Sequence, residues 1–122
     1  MVENKDGIKV EPFYGNRSKL RYFLTQLKTV FNLMPQKYPD GRSKTMFASM
    51  HLKGPTFTWF EPTLTDYLES ETPGRDTAAI FHTFANFEVA IRRVFGTVDE
   101  ERSATRAIYQ LKQKGSAADY YS

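Results

Sequence analysis

Seven apolar side chains between Leu20 and Met34 recur at helical spacing, and that regularity constrains the fold more than any other feature of the chain. Leu20, Phe23, Leu24, Leu27, Val30, Phe31 and Met34 follow at intervals of three, one, three, three, one and three. Such spacing lines one face of an α-helix and leaves Arg17, Lys19, Arg21 and Lys28 mostly off it. Asn16 or Ser18 can cap its start, and Pro35 lies just beyond its end. A second long pattern, Ile80, Phe84, Phe87, Ile91, Val94 and Phe95, predicts another helix ending at Gly96.

The segments between are punctuated by turn residues. Gln36–Gly41 reads as a loop, followed by a helix from about Arg42 to Leu52 that buries Met46, Phe47 and Met50. Gly54 can take a positive φ where that helix ends, and Pro55 suits the first position of the next. That third helix carries Phe57, Trp59 and Phe60. Pro62 clashes with a continuous helix, so a break is expected near Glu61, with a fresh short helix through Leu64, Tyr67 and Leu68. Trp59, beside the break, is expected to be largely buried against the Phe23–Phe31 and Phe84–Phe95 faces. Residues 69–76 read as a polar loop. The only strand-like stretch, Ile8–Gly15, contains Pro12, which confines it to an extended N-terminal arm. Beyond Gly96, Thr97 can cap a helix opening with Asp99, Glu100 and Glu101, where the helix dipole favours acid. Its apolar positions are sparse, and Gly115-Ser116 stops it. The fold class read from these patterns is all-α.

Composition narrows the function classes. The 122 residues include ten Phe, seven Tyr and one Trp, enough aromatic bulk to dominate the core of one domain. There is no Cys, which excludes disulfides, thiol catalysis and Cys-based zinc sites. Met1–Gly7 is polar and charged and no apolar run reaches membrane-spanning length, so a soluble, cytoplasmic protein without membrane contact is expected. No enzyme and no cofactor are expected. His51 and His82 have no metal-ligand spacing around them, Asp76-Thr77-Ala78 lacks the glycine of an aspartic protease loop, and neither a phosphate-cradling loop nor a nucleophile elbow is present. Charge is uneven: residues 1–54 carry ten Lys/Arg against four Asp/Glu, and residues 55–122 carry seven against ten. That division suits head-to-tail matching between copies better than a dense nucleic-acid stripe.

Taken in chain order, several motifs carry a family resemblance. Pro12-Phe13-Tyr14-Gly15, the Leu20–Phe31 helix and Leu52-Lys53-Gly54-Pro55 with Trp59-Phe60-Glu61-Pro62 come first. Phe84, Phe87 and Phe95-Gly96, then Leu111-Lys112-Gln113 with Gly115-Ser116 and Tyr120, come after them. The series resembles the Gag proteins of gypsy-class LTR retrotransposons and their domesticated Arc-like relatives over about residues 10–122.

The resemblance implies a capsid protein that self-assembles into virus-like shells. Residues 1–16 would be the arm, 17–96 the N-terminal lobe, and 97–122 a linker helix with the start of a C-terminal lobe. Most of that second lobe and any zinc knuckle would lie outside these residues, so RNA would be bound only through segments absent here. The resemblance also implies a groove for short peptides, the alternative function being that of a peptide-binding adaptor. Candidate groove and arm residues are Phe13, Tyr14, Phe23, Leu27, Trp59 and Phe60, with Phe13 and Tyr14 filling the groove, lining it or stapling the arm to the core. The candidate assembly surface combines Arg17, Lys19, Arg21, Arg92 and Arg93 with Glu100 and Glu101. Self is the expected partner.

Overall fold

The computed structural model describes residues 9–96, and the described region is all-α. A 3₁₀ turn, Arg17–Lys19, leads into α1, Leu20–Leu33; then come α2, Gly41–Ser49, α3, Pro55–Glu69, α4, Arg75–His82, and α5, Phe84–Phe95. The helix expected after Thr97, with Glu100, Glu101 and the start of a second lobe, lies outside the described residues.

The face read from Leu20 to Phe31 is the one α1 buries, with Leu20 and Leu27 at 0% exposure. Asn16 caps the 3₁₀ turn, its side chain accepting from the Ser18 N–H. α1 packs on α5, α4 lies against α2, α3 and α5, and aromatic rings knit the layers together. Phe60 meets Phe87 edge-on at 5.6 Å and Phe81 at 5.9 Å, while Tyr67 stacks on Phe81 at 3.9 Å. Phe31 meets Phe84 at 5.0 Å. Rings at these separations favour edge-to-face or offset geometry, which adds to the area they bury.

Four sequence expectations are corrected. α2 ends at Ser49, not Leu52, and the face it buries is Thr45, Ala48 and Ser49; Met46 and Phe47 are half-buried and Met50 is 54% exposed. The chain leaves α2 through tight bonds from the Met50, His51 and Leu52 N–H groups to the carbonyls of Phe47, Ala48 and Ser49. That turn rotates Met50 outward and carries Leu52 into the core.

Pro62 does not break α3. Its missing N–H would have served the Thr58 carbonyl, and both residues face solvent, where water can satisfy that oxygen. A mid-helix proline costs about 3 kcal/mol. Burial of Phe60 on one side of it and the stack of Tyr67 on Phe81 on the other offset that cost.

The pattern from Ile80 to Phe95 is two helices. Thr83, extended at φ −137° and ψ 149°, separates α4 from α5, and its hydroxyl caps the Asn86 N–H. The break also changes which residue of α4 is inside: Phe81 is buried and Ile80 only half-buried. Finally, Arg75 and Asp76 open a helix where a loop was expected, and Thr77 is buried.

Candidate functional site

The arm is held by its backbone as well as its ring. Phe13 forms a parallel bridge with Leu52: its N–H donates to the His51 carbonyl at 2.8 Å, and its carbonyl accepts from the Lys53 N–H at 3.1 Å. The buried Thr56 hydroxyl lies 2.7 Å from the same Phe13 carbonyl and 2.8 Å from that of Lys53. Upstream, the Glu11 N–H donates to Gln26 Oε1 of α1. Phe13 itself is 2% exposed, stacked on Phe23 at 5.2 Å and edge-on to Phe95 at 5.9 Å.

Two glycines permit this approach. Gly15, at φ +110°, turns the chain from the arm into the 3₁₀ turn. Gly54, at φ +57° and ψ −130°, turns it from the Leu52 bridge into α3, a conformation that a side chain would strain. Pro55 then occupies the first turn of α3, where no N–H is needed. The positive φ expected at Gly54 is present, but it opens α3 and does not close α2.

The structure divides the candidate groove residues. Phe13, Phe23, Leu27 and Phe60 belong to the core, so Phe13 staples the arm into the cleft it would otherwise leave open. Trp59 is corrected: it lies within α3 and is half-buried, touching Phe60 and Phe95 from the rim. Tyr14 points outward at 62% exposure. Beside it runs a groove of about 390 Å³ whose walls include Pro12, Phe13, Tyr14, Lys19 and Tyr22. Tyr22, 53% exposed, is not among the residues the sequence singles out. Its position off the Leu20–Leu27 face was the available signal. The part played by His51, Leu52 and Thr56 had no such signal, because backbone pairing across some 40 residues leaves no local pattern.

Of the candidate assembly residues, Arg17, Lys19, Arg21 and Arg93 are exposed. The Arg17 guanidinium donates to the Gly96 carbonyl, fastening the start of α1 to the end of α5. Arg92 is half-buried and shares the Glu88 carboxylate, 3.8 Å away, with Lys28 at 2.7 Å.

His51 is buried directly under the arm. Its Nδ1 lies 3.0 Å from the Phe47 carbonyl, which can only accept, so the proton is on Nδ1 and the buried Nε2 has no partner. Burial disfavours the charged ring and pulls its pKa below the ordinary 6.5; Lys53 pushes the same way, and the Phe47 bond opposes both. The unfolded chain therefore takes up the proton first. Stability should be level above about pH 6.5 and fall below it, by no more than about 1.4 kcal/mol per pH unit for this one site. Urea denaturation between pH 7.5 and 5 checks this, with His51→Asn, which keeps a donor but cannot titrate, flattening the slope. Asp40 and Asp66 act in a separate window. Hydrogen bonds from Ser43 to Asp40, and from Thr77, Gly74 and Ser70 to Asp66, hold both carboxyls below their usual value, so their contribution is lost only in stronger acid.

Among the described residues no three His, Asp or Glu side chains gather as a metal cluster, and no helix is long and apolar enough to cross a membrane. No family model, curated protein or solved structure matches the chain.

Proposed function

We propose that the chain is a structural capsid protein of the Gag kind, whose work is to associate with copies of itself into shells in the cytoplasm. The observation that carries the reading is convergence. Pro12-Phe13-Tyr14-Gly15 and Leu52-Lys53-Gly54-Pro55, distant in sequence, meet through the Phe13–Leu52 bridge. Phe95-Gly96 closes on the same place through the Phe95 ring on Phe13 and the Gly96 carbonyl on Arg17. These three of the motifs that carry the resemblance thus meet at one end of the described helical domain, while those from Leu111 to Tyr120 lie outside the described residues. Many weak contacts suit such a protein, since multiplicity supplies the strength and single errors can still dissociate.

The adaptor reading draws on the groove beside Tyr14 and Tyr22, an aromatic wall of the sort that takes extended peptides. Sedimentation velocity over a concentration series, with negative-stain imaging of the concentrated sample, separates the two. Reversible association that grows with concentration is expected. A strictly monomeric protein that saturates with a peptide would replace self-assembly with the adaptor function.

A further inference from the structure

The charge division of the sequence becomes two separate poles in the fold. One pole surrounds the docked arm. Residues 9–21 there carry four Lys/Arg against one Glu, and Lys53 adds a further cation beside the arm. Lys19 and the exposed Tyr14 and Tyr22 line the groove together with Glu11, and Arg21, outside the lining, is exposed one residue before Tyr22. The other pole is the far end of α3 and the start of α4. Residues 61–76 there carry five carboxylates against the single Arg75, and Leu68 stands among them at 62% exposure.

α3 measures the separation. Thr56, in its first turn, bonds the arm through the Phe13 carbonyl. Glu69, its last residue, lies thirteen residues on, about 20 Å along the axis. That is more than twice the Debye length of about 8 Å at physiological salt, so the poles do little to neutralise one another within one molecule. Nor are they neutralised locally. Among the described residues the only ion pairs are Lys28 and Arg92 with Glu88, at neither pole.

We infer that the acidic end of α3, around Leu68, Glu69 and Glu71, docks onto the Tyr14–Lys19–Tyr22 groove of a second copy. This rests on the self-assembly reading and names the surface it uses. Charge complementarity selects the occupant: a net acidic segment with an apolar side chain at its centre fits a groove with two tyrosine walls, set in a pole where Lys9, Arg17, Lys19, Arg21 and Lys53 outnumber Glu11. Leu68 supplies the apolar contact, while Lys19 and Arg21 face Glu69 and Glu71. The two surfaces differ, so the contact is head-to-tail. A bound pair still presents one free pole of each kind, and such an interface repeats until it closes into a ring or runs on as a filament.

Two variants test this. Lys19→Glu with Arg21→Glu makes both poles acidic; Glu69→Lys with Glu71→Lys makes both basic. All four side chains are exposed, so each variant should melt as the wild type does. Each alone should lose self-association by about tenfold or more, because attraction at the contact becomes repulsion. Mixed in equal amounts they should associate again, since each then meets an opposite pole, and wild-type association should weaken with added salt. Wild-type protein that associates while the variants associate equally well overturns the pole-to-pole contact and leaves self-assembly standing. So does a mixture that fails to recover. A wild type that stays monomeric throughout the concentration series removes both.

Discussion

Phe13→Ala should destabilise the protein by about 3–5 kcal/mol, the range for deleting a fully buried large aromatic. The ring is 2% exposed and has the stacked Phe23 and the edge-on Phe95 as partners, so its loss opens a cavity between α1 and α5. The effect reaches past the cavity. Without the ring, the bonds to His51, Lys53 and Thr56 must hold the arm alone, and the Thr56 hydroxyl and His51 carbonyl lose buried partners if the arm leaves. Urea denaturation gives the magnitude, and hydrogen exchange at the Lys53 amide reports whether the arm remains seated. A cost below about 1 kcal/mol, outside that range, would mean the arm is not part of the folded core. Trp59→Ala, at a half-buried site on the rim, should cost clearly less than Phe13→Ala.

Gly41→Ala should also be severe, about 3 kcal/mol, at the upper end of the cost of overpacking. At an ordinary helix start the change would be neutral or slightly stabilising, since alanine is the better helix former. Here a Cβ would sit 2.2 Å from the His82 carbonyl oxygen and 2.7 Å from the Thr83 Cα. Both obstacles are backbone, so no side chain can swing aside. α2 must instead retreat from the α4–α5 junction, loosening the burial of Thr45 and Ala48. Comparing the melting temperature with that of the wild type settles the sign as well as the size.

The close approach at Gly41 was not legible in the sequence, although that residue, like Gly54, flanks a readable turn. Gly41 reads as a loop residue and Gly54 as a helix stop. That Gly41 must pass against a backbone carbonyl forty-one residues later depends entirely on how α2 and α4 pack. The pole-to-pole surface was half legible. The unequal charge of the two halves is plain in the sequence, but its division into ends about 20 Å apart depends on the direction in which α3 runs from the arm.

What the sequence determined by itself is the helical class, the buried face of α1, and that of α5 at Phe84, Phe87 and Ile91; Val94, read into the same face, is 41% exposed, and Phe95 is half-buried. Those features arise between residues three or four positions apart: the Leu20–Phe31 spacing, the Asn16 cap, the turn at Gly54-Pro55. Only the tertiary structure decided where the helices are interrupted. Pro62 carries a local cost of about 3 kcal/mol, comparable to what one buried aromatic contributes, so Phe60 against Phe87 and Tyr67 against Phe81 can override it. At Thr83 the local cost of leaving the helix is small, because the threonine hydroxyl caps α5, and packing places the break there. Phe13 is the extreme case: one aromatic in an arm with no helical periodicity, buried because Leu52, Phe23 and Phe95 arrive from three other parts of the chain.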